Sequence, residues 1–160
     1  MILVALGTQD KSFKRLLEAV EKQIDKGNIR EEVVVQAGHT KYESKKMRIF
    51  DFIPTEDIKK LKEEARIIIA HAGVGTIIEC LDRNKTIIVA PRLKVYGEHT
   101  NDHQLQILDK FAREGHIIPL YDFEKLDEAL REAETFIPKK YISNNENFVK
   151  LVESHLNTLK

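Results

Sequence analysis

An apolar run that breaks into a glycine turn and then into a helix constrains this chain more than any other segment. Arg66-Ile67-Ile68-Ile69-Ala70 is short, continuous and β-branched, the pattern of a strand buried on both faces of a parallel sheet. His71-Ala72-Gly73-Val74-Gly75-Thr76-Ile77-Ile78-Glu79 follows directly, and Thr76 to Arg83 has the composition of a helix. A strand ending in a Gly-x-Gly turn that opens a helix leaves backbone N–H groups unpaired and pointing one way. Such a turn is an anion site, with phosphate as its usual guest.

The same alternation runs through the sequence. Ile2 to Leu6 reads as a first strand, ending at Gly7-Thr8-Gln9-Asp10. Phe13, Leu16, Leu17, Val20 and Ile24 then recur at helical spacing until Gly27-Asn28. Glu32 to Ala37 and Met47 to Ile53 give two more strands, and Thr55 is placed to cap the next helix after Pro54. Thr86 to Ala90 is a fifth strand, followed by a polar and aromatic loop, Arg92 to Thr100. Asn101 or Asp102 caps a helix carrying Leu105, Leu108, Phe111 and Ala112, and His116 to Leu120 is a sixth strand. Helices over Phe123 to Thr135 and near residues 145–159 complete the pattern.

Strands separated by helices imply one α/β domain over residues 1–160: a Rossmann-like, doubly wound parallel sheet of about six strands with helices on both faces. In the order 3-2-1-4-5-6 the first and fourth strands are neighbours where the winding reverses, and ligands bind outside the carboxyl ends of the strands there. Gly7-Thr8 and His71 to Thr76 would then face one crevice.

Several guests and partners are disfavoured. A dinucleotide fingerprint would place its glycines after the first strand and an acid at the end of the second. Here the first turn holds only Gly7, and the second strand ends Gln36-Ala37-Gly38-His39. Gly73 to Thr76 lacks the lysine of a P-loop. Lys plus Arg and Asp plus Glu number 26 each, so no excess positive charge recommends nucleic acid. The one cysteine, Cys80, excludes an intrachain disulfide and reads as a small buried residue rather than a nucleophile. His71, His99 and His103 lack the spacing of a metal site. No run approaches a membrane span and the N-terminus has no signal-peptide pattern, so a cytoplasmic protein is expected, held at the membrane only through a partner.

His71-x-Gly73-x-Gly75-Thr76-x-x-Glu79, with Asn101-Asp102-His103-Gln104 downstream, resembles the donor-binding C-terminal half of a GT-B glycosyltransferase of family 28. Leu6-Gly7-Thr8-Gln9, Phe52-Ile53-Pro54 and Gly97-Glu98-His99-Thr100 resemble its short, split members. These are the catalytic subunit of the dolichol-linked N-acetylglucosaminyltransferase and its bacterial exopolysaccharide and capsule homologues. The resemblance implies a UDP-sugar donor, used as substrate with no cofactor and no metal. Gly73, Val74, Gly75 and Thr76 would hold the diphosphate, with His71 facing it from the strand end. Glu79 would accept the ribose hydroxyls. His103 and Gln104 would reach the transferred sugar, with Asn101 supporting them, and Gly7 and Thr8 would floor the cleft facing the acceptor. His71, Glu98 and His99 are the candidates for a catalytic role. His39 and Tyr42 also lie beyond a strand end.

The resemblance further implies inverting transfer to a lipid-linked acceptor, with a separate, membrane-associated subunit supplying the acceptor face. An unpartnered acceptor face could also bury itself in a homodimer. A non-catalytic nucleotide-sugar-binding or stabilising subunit is the alternative. Asn101 to Gln104 does not choose among N-acetylglucosamine, galactose, glucose and glucuronic acid.

Overall fold

The computed structural model describes residues 1–142, so the helix expected near 145–159 lies outside the described residues. Six parallel strands form one sheet in the order β3-β2-β1-β4-β5-β6. They are β1 (Ile2–Ala5), β2 (Val33–Gln36), β3 (Arg48–Phe50), β4 (Ile67–His71), β5 (Thr86–Ala90) and β6 (Ile118–Pro119). The helices are α1 (Lys14–Asp25), α2 (Thr55–Glu64), α3 (Val74–Asp82), α4 (His103–Arg113) and α5 (Leu126–Ala133). The expected doubly wound order is therefore the observed one, and β1 lies directly against β4, with Ala5 opposite Ala70.

The alternation of each central strand sorts its side chains between two cores. Ile2, Val4, Ile67 and Ile69 point to the face covered by Leu16, Leu17 and Val20 of α1 and Leu126 and Leu130 of α5. Leu3, Ala5, Ile68 and Ala70 point to the other, under Ile77 and Cys80 of α3 and Leu108 and Phe111 of α4. Both faces of β1 and β4 are dry, so these strands are continuous apolar runs. Full burial of each leucine, isoleucine or valine side chain among them contributes about 1.5–3 kcal/mol.

Several elements depart from the sequence expectation at their ends. β2 and β3 are shorter than read, although the amides of Ala37 and Gly38 still donate to the carbonyls of Phe50 and Asp51 beyond their ends. β6 is only two residues long. Thr55 is the first helical residue of α2 rather than its cap, with Pro54 in the cap position and no side-chain cap bond. The helix expected over Phe123 to Thr135 begins as a 3-10 turn, Phe123–Lys125, where Asp122 accepts from the Glu124 amide, and becomes α-helical only at Leu126. No described helix is long and apolar enough to cross a membrane.

Candidate functional site

β4 carries its last hydrogen-bonded residue, His71, into the turn, and α3 starts at Val74, two residues earlier than the sequence suggested. Gly73 takes the N-cap position with extended backbone and no side-chain cap. The first bond of this helix end runs from the Ile77 amide to the Gly73 carbonyl at 3.0 Å. The amides of Val74, Gly75 and Thr76 therefore come before the helical ladder begins and sit at the positive end of the helix dipole. Val74 itself is buried in the core, so it can offer a ligand only its backbone.

The glycines divide by role. Gly7 has φ +76, and a Cβ there would lie 2.3 Å from His71 Nε2. A Cβ on Gly73 would lie 2.4 Å from His71 Cε1. The imidazole is thus wedged between the turns after β1 and β4, and these two glycines are required by the ring. Gly75 is different: a Cβ there meets nothing within 4 Å. It is exposed at the mouth of the turn, where a ligand would approach the backbone. Thr8 is exposed beside Gly7 on the opposite wall.

Each turn is braced by a glutamine. Gln36, the last residue of β2, accepts from the Gly7 amide and donates to the Gly7 carbonyl, both at 3.1 Å. Gln104, in the first turn of α4, is 2% exposed. Its Oε1 accepts from the amides of Ala72 at 3.2 Å and Arg92 at 3.0 Å, and its Nε2 lies 3.3 Å from His71 Nδ1. Gln104 was expected to touch the sugar; in this structure its amide group is engaged inside the protein.

His71 is buried, and burial, followed by the charges of Arg92, His99 and Lys62, pushes its pKa down to about 3. The ring is neutral at physiological pH. Its Nε2 lies 3.4 Å from Thr76 Oγ1. Glu79 sits one helical turn beyond Thr76, with a side chain 31% exposed, and pairs with the buried Lys62 ammonium at 2.8 Å. Arg83 adds a second contact at 3.5 Å. The carboxylate is held in place yet reachable from solvent.

The loop after β5 holds the remaining candidates. Glu98 is buried, and its oxygens accept from Arg15 Nη2 at 2.8 Å, Arg15 Nε at 2.9 Å and the Leu93 amide at 3.0 Å. A bidentate guanidinium and a main-chain amide together take up both carboxylate oxygens, so Glu98 braces the loop in this structure. Arg15 in turn stacks on Phe123 and Tyr96, 3.8 and 4.2 Å from the ring centroids. His99 is buried, with Nδ1 accepting from the Asn101 amide at 3.3 Å. Asp102 holds the N-cap position of α4 without a side-chain cap bond, and Asn101 Oδ1 accepts from the His103 amide at 3.0 Å. Asp102 instead accepts from the Lys94 amide at 2.9 Å. His103 is half-buried on the first residue of α4.

Residues outside the sequence expectation complete the site. Arg92 is 1% exposed and donates to the carbonyls of Leu6 at 2.7 Å, Lys11 at 2.8 Å and Glu98 at 3.3 Å. Desolvation lowers its pKa to about 10, leaving it charged. It ties the β5 loop to the β1 turn, as Lys62 ties α2 to α3. Gln36 had a visible signal, a polar residue closing an otherwise apolar strand; Arg92 and Lys62 had none. Cys80 is buried with its thiol pushed up to about 11, against a nucleophilic role. His39 is exposed and edge-on to Phe52, and the Tyr42 hydroxyl donates to Glu21, so neither belongs to the cluster around His71. Among the described residues, no group of three or more His, Cys, Asp or Glu side chains could hold a metal ion.

The chain is similar to known proteins in sequence and in fold. The glycosyltransferase family 28 C-terminal domain matches residues 1–159. The "UDP-N-acetylglucosamine transferase subunit ALG13" of Candida albicans is 30% identical over 106 residues, 66% of this chain and 30% of its own length. The Saccharomyces cerevisiae protein of the same name is 32% identical over 105 residues, 64% of this chain and 50% of its own length. The chain thus spans half or less of these two relatives. An NMR structure of ALG13 superposes with a TM-score of 0.60 at 22% identity, covering 94% of each chain, a likeness of fold. With a family match over residues 1–159 and the doubly wound strand order in place, the chain belongs to the glycosyltransferase family 28 C-terminal domains.

Proposed function

We propose that this chain is the donor-binding part of an inverting glycosyltransferase that takes a UDP-sugar and passes the sugar to a lipid-linked acceptor. The observation that carries this reading is the open end of α3. Gly75 is unobstructed, and the Val74, Gly75 and Thr76 amides are free of the helical ladder. A diphosphate leaving group is stabilised there by backbone donors and the helix dipole, with Arg92 and Lys62 as buried cations nearby. Glu79 is the ribose acceptor, reached through its exposed edge. His103 and Asn101 lie nearest the sugar. The relatives' name makes N-acetylglucosamine the first sugar to try. Nothing in this reading needs a cofactor or metal.

The attacking hydroxyl needs a base. His71 is buried and neutral and Glu98 is locked to Arg15. The reading therefore places the base on a second, membrane-associated subunit that also holds the acceptor and keeps this chain at the membrane from the cytoplasmic side. The same observation favours a second reading, in which this chain binds or stabilises without contributing to the chemical step. Calorimetry with UDP and UDP-N-acetylglucosamine, on the chain with and without its partner and on Glu79→Ala, tests the first. The expected result is specific binding, weakened about tenfold by the substitution. Absence of binding even with the partner present would sink it. Full turnover of a lipid acceptor by this chain alone would sink the partner requirement.

A further inference from the structure

The amide of Gln104 can be oriented in only one way. Its Oε1 position receives two backbone N–H groups, those of Ala72 and Arg92. A backbone N–H only donates, so this position must be the oxygen and the other must be the NH2. That NH2 lies 3.3 Å from His71 Nδ1 and has only protons to offer. Nδ1 must accept, so the single proton of a neutral ring sits on Nε2. Nε2 faces Thr76 Oγ1 at 3.4 Å, in the gap between Gly7 and Gly73. A hydroxyl that accepts from Nε2–H turns its own proton away from the ring.

We propose that Gln104 is a positioning residue which fixes His71 as the neutral ring protonated on Nε2, so that the Thr76 hydroxyl is left as a donor to the diphosphate. The polarity of the chain is set at its far end by two main-chain amides, which cannot titrate. The charged and titratable groups facing His71 are Lys62 from α2 and Arg92 and His99 from the loop after β5. The two cations oppose protonation of the ring, so the donor array keeps one arrangement across the physiological range. The role in anion binding rests on the diphosphate reading above; the proton's position does not.

The test is the long-range ¹H–¹⁵N spectrum of histidine in the ligand-free full chain, with His71 assigned by the signal lost in His71→Asn. The expected spectrum has a protonated Nε2 and a bare Nδ1, unchanged from pH 5 to pH 8. In Gln104→Glu the oxygen facing Nδ1 can only accept, so the proton moves to Nδ1. UDP binding should then weaken at least tenfold at pH 8 and recover as acid protonates the ring and restores Nε2–H. Thr76→Val should leave the tautomer untouched while lowering affinity for UDP more than for uridine. A wild-type ring protonated on Nδ1, or one that titrates between pH 5 and pH 8, overturns the inference even if Gln104→Glu does not fold. The expected ring spectrum with no UDP binding at all would leave the inference standing and remove the diphosphate reading instead.

Discussion

The crevice is lined by two turns braced in the same manner but to different ends. After β1, Gln36 grips the main chain of Gly7, accepting from its N–H and donating to its carbonyl. After β4, Gln104 also grips backbone amides, but its third contact is a side chain, the His71 ring. The first brace holds shape alone. The second passes its orientation to a group that carries a proton. A buried polar network specifies one arrangement only when every member is satisfied, and here that requirement reaches from main-chain amides to the mouth of the site.

The largest effect should come where both turns depend on one contact. Gly7→Ala places a methyl on the His71 ring and forces a left-handed φ on alanine, so a loss of about 3 kcal/mol or more is expected in urea unfolding. Gly75→Ala has open space and a helical position, so stability should hold or rise by about 0.5–1 kcal/mol while UDP affinity falls. Equal destabilisation by the two would erase the division between glycines that admit the ring and the glycine that admits a ligand.

Removing the braces comes next. Gln104→Leu orphans two amides and His71 Nδ1, and about 3 kcal/mol should be lost. Gln36→Leu orphans the N–H and the carbonyl of Gly7 and should cost about 2 kcal/mol. The pair is sharpened by ligand: the Gln36 variant should lower affinity for UDP and uridine alike, the Gln104 variant chiefly for UDP. The Glu98→Gln variant, assayed with the partner, should lose about 1–3 kcal/mol in thermal unfolding, through Arg15, with turnover falling only as far as folded protein is lost. A hundredfold loss of turnover in a stable protein would return Glu98 to the catalytic group. Smallest of all, Lys22→Ala removes an exposed pair with Glu124 and should shift stability by about 0.5 kcal/mol or less.

Topology was legible because its signals are local. Five apolar runs and the less cleanly alternating Met47 to Ile53 leave few ways to wind a parallel sheet, and the reversal between β1 and β4 places Gly7 beside His71. The α3 turn was legible for the same reason, its residues being contiguous. What could not be read depends on partners distant in sequence. Arg92 looked like the first residue of a polar loop, yet its guanidinium ends on Leu6 at the far side of the chain. Nothing in the sequence sets Lys62 apart from Lys59 and Lys60 on α2; only the fold brings Glu79 over it. Glu98 and Gln104 illustrate the harder case: a motif names residue types, but only the fold says whether their polar atoms face the crevice or are already engaged.

The central claim is that the turn from His71 to Glu79 receives the nucleotide's diphosphate. The most direct measurement is an amide ¹H–¹⁵N titration of the labelled chain with UDP, compared with uridine. UDP should produce saturable shifts centred on Gly73, Val74, Gly75 and Thr76, extending to Gly7 and Thr8, and uridine should leave Gly75 and Thr76 nearly unmoved. Saturable shifts elsewhere in the protein, or identical responses to the two ligands at these amides, would contradict the account.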